Sequence, residues 1–262
     1  MAKQNQALAK WDEELAKAAE AAAAQEAGVG GGQFFSLKGG TLSFNGSPIP
    51  NDEMAVVLID SVNANVYYED AYNGETTNTP TCYAFGRSDE EMAPHEQVEG
   101  KDQQSDKCVG CPQNEWGSAE RGRGKACRNT RRIACIPAGT LSKDGSFEAF
   151  DDPDHFAKAA IGYIPLPPTS VPGFAQYVKQ LYGALKKPPF AVFTKFALVE
   201  DEKTIFKGVF ELIEKVPNEL LPILLDRHKV EREVIAFPYA KVDRDTKPKG
   251  KARRPLKSNR KY

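Results

Sequence analysis

Histidine is scarce in this chain, with three in 262 residues, and so are tryptophan, with two, and methionine, with three. His95, His155 and His228 stand in unrelated contexts, and no Ser or Cys sits in a nucleophile elbow. The sequence therefore reads as non-enzymatic. No apolar run approaches the roughly 18 residues that a spanning helix needs. The opening stretch MAKQNQALAKWDEELAKAAEAAAAQEAG lacks the Leu-rich segment of a signal peptide. The expectation is a cytoplasmic protein without a membrane partner. A phosphate loop of Walker type is also missing, since its spacing needs glycine where Ala119 stands and Ser or Thr where Ala126 stands.

What the chain does have is segregated charge. The formal net charge is −1, yet residues 86–106 carry seven acids (Asp89, Glu90, Glu91, Glu96, Glu99, Asp102, Asp106) against two bases. Residues 121–132 carry six bases and no acid, and residues 241–262 carry ten bases against two acids. Separation of this kind points to docking or polyanion contact even when the total is near zero.

Pattern along the chain divides it in three. Residues 1–32 read as an Ala-rich helix and a Gly linker, 33–240 as one domain, and 241–262 as a disordered basic tail. Within the domain, Asn45-Gly46 signals a hairpin. Residues 54–70 and 131–139 carry strand character, and a strand at 159–166 is expected to end at the prolines 165, 167 and 168. Phe174, Tyr177, Val178, Leu181, Tyr182 and Leu185 share a helical face. Residues 188–201 and 203–216 read as two strands, and 217–234 as a helix capped by Asn218. Residues 80–128 show little periodicity and read as an insertion. The fold expected is mostly β (α+β), a small OB-type Greek-key barrel, with a compact α+β sheet as the competing reading. The acidic run DDPD at 151–154 is read as a cap or turn before a divalent-metal site.

Four of the five cysteines fall in or beside the insertion. Cys108 and Cys111 form a CxxC knuckle, whose spacing lets two thiolates grip one ion. Cys127 follows after fifteen residues and Cys82 lies 25 residues upstream. Four thiolates make a closed structural zinc site, one Zn2+, with no open position for water. His95 is the alternative fourth ligand to Cys82. Cys135 sits in an apolar strand pattern and is assigned to the core.

Arg121, Arg123, Lys125, Arg128, Arg131 and Arg132 flank Cys127, with Trp116, Tyr83 and Phe85 nearby. Guanidinium groups beside aromatic rings suit a phosphodiester backbone with stacked bases. The competing reading is a solvated basic face neutralised by the acids of 86–106. Lys195 lies on a strand whose outer face could meet bases, while Phe193 is assigned to the core.

The order P-x-C at 80–82, C-x-x-C-P-x-N-x-x-G-S at 108–118, G-K-x-C-x-N-x-R-R at 124–132, and P-P-T-S before F-x-x-Y at 167–177 resembles small proteins of phages and integrated mobile elements. The resemblance covers about residues 34–215. It implies a phage single-stranded DNA-binding protein on an OB fold, acting in replication or recombination in a bacterial host cell. Its partners would be single-stranded DNA and phage or host replication proteins. One departure stands out: such binders often end in an acidic tail, and residues 241–262 are basic. Two other classes are carried forward, a zinc-containing interaction module acting on transcription or replication machinery and a virion-associated structural protein.

Overall fold

The structure is a computed structural model and describes residues 34–69, 79–120 and 122–239. The expected Ala-rich helix, Gly linker and basic tail lie outside them, as does Arg121. Three short strands come first, β1 (Phe35–Ser36), β2 (Ser43–Phe44) and β3 (Ser47–Pro48), and form a small antiparallel sheet. Asn45 and Gly46 join β2 to β3 with φ of 50° and 80°. A tight hairpin turn needs positive φ at both central residues, which is why this dipeptide was legible.

The main sheet is built on two long strands, β4 (Glu53–Tyr67) and β6 (Arg128–Leu141), paired antiparallel from Ala55↔Gly139 to Val66↔Arg128. The last five residues of β4 also pair with β5 (Cys82–Gly86), a strand inside the segment expected to be irregular. β7 (Phe147–Ala149) and β8 (Gly162–Leu166) both pair with β6. β9 (Val192–Asp201) joins the first residues of β4, and β10 (Ile205–Lys215) pairs with β9. The strand order is β10-β9-β4-β6-β7, with β5 on β4 and β8 on β6. Mostly antiparallel β structure with few helices is the architecture.

Period-2 alternation sends side chains to two separate cores. Val56, Leu58, Ile133, Cys135, Ile164, Leu166 and Phe196 face one side. Helix α2 (Val171–Leu185) covers it through Phe174, Tyr177 and Leu181, the spacing read from sequence. The Tyr177 hydroxyl is bonded to Thr194 Oγ1 at 2.7 Å, which satisfies two buried polar groups. Ala55, Val57, Ile59, Ala134, Ile136 and Phe193 face the other side. Helices α1 (Pro153–Lys158) and α3 (Leu221–Val234) lie on it through Phe156 and Leu224. Each large side chain so buried contributes roughly 1.5–3 kcal/mol.

Two details differ from the expectation and a third agrees with it. Pro165 does not end β8; it sits within it, and an edge strand tolerates a residue without an N–H. Asn218 does not cap α3, which begins at Leu221 with Pro222 in the first turn, where no N–H is needed. Asp152 does cap α1, its Oδ1 accepting from the Asp154 N–H at 2.9 Å, as the capping reading of DDPD requires. Between β8 and β10 no ladder forms among the described residues. The gap is bridged by the Gly208 N–H donating to Ser170 Oγ at 2.9 Å. A Cβ on Gly208 would stand 2.8 Å from the Phe196 ring, so only glycine permits this approach.

Candidate functional site on the cysteine-bearing insertion

The insertion runs from the end of β4 to the start of β6. Its apolar content is small. Tyr83, Ala84, Met92 and Val98 are buried, along with Cys111 and Cys127. Polar contacts tie it down instead. The Cys108 N–H donates to Met92 O at 2.9 Å, and the Cys127 N–H to Gln113 O at 2.7 Å. Asn114 is a hub: its Nδ2 donates to Cys108 O at 3.0 Å, and its Oδ1 accepts from Asn129 at 2.9 Å and Lys125 at 3.3 Å. Asn129 also donates to Asn65 of β4 at 2.6 Å. The knuckle is thereby fixed to both central strands. Sequence reading missed Asn65, Asn114 and Asn129 as functional positions, although the last two are among the residues that carry the resemblance.

Cys82, Cys108, Cys111 and Cys127 line one cavity of ≈ 20 Å3 together with Asn65 and Asn114. That volume holds one ion or one water. Burial pushes the Cys127 thiol up to about 12, and its neighbours Cys108, Cys111 and Cys82 add to the rise. Cys82 and Cys108 are raised as well, again chiefly by burial. Each of these three thiols is raised further by at least one other cysteine of the four, and a cation among them would act in the opposite direction. Among the described residues no three His, Cys, Asp or Glu side chains stand in a finished ligand arrangement. The four cysteines share the lining of one cavity. His95 does not line it: its Nδ1 accepts from the Gln97 N–H at 3.1 Å and its ring stacks on Tyr83. Cys135 is in the core, 1% exposed.

The basic residues divide. Trp116 is 79% exposed and Lys125 Nζ lies 5.8 Å from its ring centroid. Arg123 is exposed, and so is Arg128, whose guanidinium lies 5.7 Å from the Tyr68 ring. None of Arg123, Lys125 and Arg128 forms an ion pair with a described residue. No acid of 86–106 lies within ion-pair distance of them.

The remaining expected contacts turn inward. Arg132 is 2% exposed, its guanidinium 4.2 Å from the Phe85 ring and 4.1 Å from the Phe237 ring. It alternates with Ala134 and Ile136, so strand parity aims it at the covered face. Burial lowers its pKa, with the Tyr239 hydroxyl opposing. Arg131 lies over Phe174 on the other face and bonds to Asn63 Oδ1. Tyr83 is 5% exposed, and Phe85 stacks with Tyr239. Lys195 is held by Glu211 at 2.8 Å and Glu53 at 3.8 Å. These five are corrected from surface contacts to packing or pairing roles. Phe193, fully buried, is core as expected.

No helix among the described residues is long and apolar enough to cross a membrane. Compared with protein families, curated proteins and solved structures, the chain has no match in any of the three.

Proposed function

We propose that the protein is a non-enzymatic single-stranded DNA-binding protein, largely indifferent to sequence, acting in phage DNA replication or recombination. The observation that carries the reading is on the four-cysteine insertion: an exposed Trp116 with the Lys125 ammonium over its ring, and Arg123 and Arg128 exposed with no acidic partner among the described residues. Indole and guanidinium together suit stacked bases and a phosphate backbone.

Strand order supports the OB-type reading. Taken in sequence, β4, β6, β8, β9 and β10 pair first with second, second with third, first with fourth and fourth with fifth, and α2 lies between third and fourth. This suits a five-stranded, partly open Greek-key barrel, and the loop between its first two strands is one that binds oligonucleotides in such folds. The insertion is that loop. The outer face of β6 is covered by α1 and by the residues after α3, so DNA contact falls to the loop.

Cys82, Cys108, Cys111 and Cys127 would hold one structural zinc ion. Four thiols lining a cavity of ion size are a fitting donor set, and a bound zinc would lock the insertion's shape without offering a site for chemistry. The test is anisotropy of labelled oligo-dT at increasing salt, with a duplex of equal length beside it and zinc quantified in the same preparation. Tight, salt-sensitive binding to the single strand is expected. Absence of binding, or binding indifferent to salt, overturns the reading. The exposed Val109 beside the knuckle, at 57%, favours the interaction-module alternative, which would appear as co-purification with a polymerase and little affinity for naked DNA.

A further inference from the structure

Helix α2 has two unlike sides. Phe174, Tyr177 and Leu181 are buried against the sheet, while Lys179, Tyr182 and Lys186, the residue just past its end, stand at i, i+3 and i+7 on the solvent side. Tyr182, whose spacing groups it with the apolar face, is 66% exposed. The Lys186 N–H donates to Tyr182 O at 3.1 Å, and its ammonium lies 4.4 Å from the Tyr182 ring centroid. Lys186 holds this place with φ of 53° and ψ of 34°, a left-handed cap where glycine is usual. A lysine there accepts backbone strain and sets a cation against an exposed ring.

Charge along this part of the chain has one sign. Residues 155–199 contain no Asp or Glu. None of Lys179, Lys186 and Lys187 forms an ion pair with a described residue. Helix α3 is the contrast: it mixes Asp226, Glu231 and Glu233 with Arg227, Lys229 and Arg232, and Lys229 pairs with Asp226 at 2.9 Å. A helix that only meets water is well served by such mixing. Cations along one stripe, with a ring between them and no acid on the helix, match a polyanion that also offers flat groups to stack. The first turn of α2 also lies near the insertion. Arg131, three residues after Arg128, sits 5.6 Å from the Phe174 ring centroid.

We propose that Lys179, Tyr182 and Lys186 form a second contact for single-stranded DNA, with phosphates on the two ammoniums and a base against the Tyr182 ring; this rests on the DNA-binding reading above and extends it from the insertion to α2. A strand held at the insertion presents its next nucleotides to α2 at a raised effective concentration. The stripe uses only charge and stacking, so the affinity it adds is indifferent to sequence.

The experiment titrates oligo-dT longer than about 16 nucleotides, the upper end of what one OB fold covers, against the full chain and full-length variants across a salt series. Lys179→Gln with Lys186→Gln should reduce the slope of log affinity against log salt by about 1.4, at about 0.7 for each lost phosphate contact. Tyr182→Ala should weaken binding at least roughly fivefold, and Tyr182→Phe should bind like the parent. Circular dichroism melts check that each variant keeps its fold. On the unaltered chain, a strand bearing photoreactive thiothymidine should crosslink to peptides that contain Tyr182 as well as to the insertion, so a variant that fails to fold does not decide the matter. Adducts on the insertion alone overturn the proposal, and so do unchanged slope and affinity in the variants. Equal loss in the alanine and phenylalanine variants overturns it too, because the ring would then not be the contact. A full chain that binds no oligo-dT sinks the DNA-binding reading, and this proposal with it.

Discussion

The main sheet and the insertion are ordered by different means. Val56, Leu58, Ile133 and Phe196 are at most 2% exposed, packed on the face that α2 covers. The insertion buries few apolar side chains and depends on backbone turns, the Asn114 hub and four thiols. Burial is non-directional and tolerant of neighbours, whereas a polar web fails when one member leaves it unsatisfied. The two regions should therefore respond to different insults.

The largest effect is expected from Phe196→Ala. Emptying a buried aromatic site costs about 3–5 kcal/mol. Melting by calorimetry should fall by roughly 10 °C, since each kcal/mol shifts a domain of this size about 2–4 °C. A smaller shift would mean that the sheet is less dependent on burial than it looks.

Cys108→Ser with Cys111→Ser attacks the other region. Oligo-dT affinity should drop tenfold or more while the main melting transition barely moves. Hydrogen exchange gives the sharper view: amides of 104–127 should lose protection and those of 56–58 and 133–136 keep it. Equal loss in both regions would erase the distinction.

Asn114→Ala should act like a mild version of the cysteine change. It leaves the Cys108 carbonyl and the Asn129 amide short of a partner, at about 1–3 kcal/mol. Exchange confined to the knuckle is the expected signature.

The smallest effect concerns the sheet side. Glu231 is 4% exposed with Oε1 unpartnered, and burial raises its pKa above the usual carboxylate value. The folded protein thus holds this proton more tightly than the unfolded chain. Its contribution to stability is complete below the unfolded value and is lost as pH rises through the folded one. Denaturation series at several pH values should show that decline, and Glu231→Gln should remove it.

Much of the sheet was legible. The β-branched, apolar character of 54–70, the strand character of 131–139 and the helical spacing of Phe174, Tyr177 and Leu181 all pointed to the elements that form. The insertion was less so. β5 is five residues long, too short to announce a period, and the asparagine hub has no hydrophobic signature. Arg132 teaches the most. Six clustered bases suggested one surface, but the same parity that sends Ala134 and Ile136 inward sends Arg132 with them. The signal was present in the strand pattern and was outweighed by the charge count. Lys195 follows suit, since Glu53 and Glu211 lie across from it on neighbouring strands and no sequence-local pattern reveals them.

Phe34 and Phe237 pack around the Arg132 guanidinium, their centroids 5.8 Å apart. The first and last described stretches thus meet on one spot. A short linker could fuse them, and new termini could be opened at the exposed turn Lys143–Ser146. Such a circular permutant of residues 34–239 should keep the sheet intact.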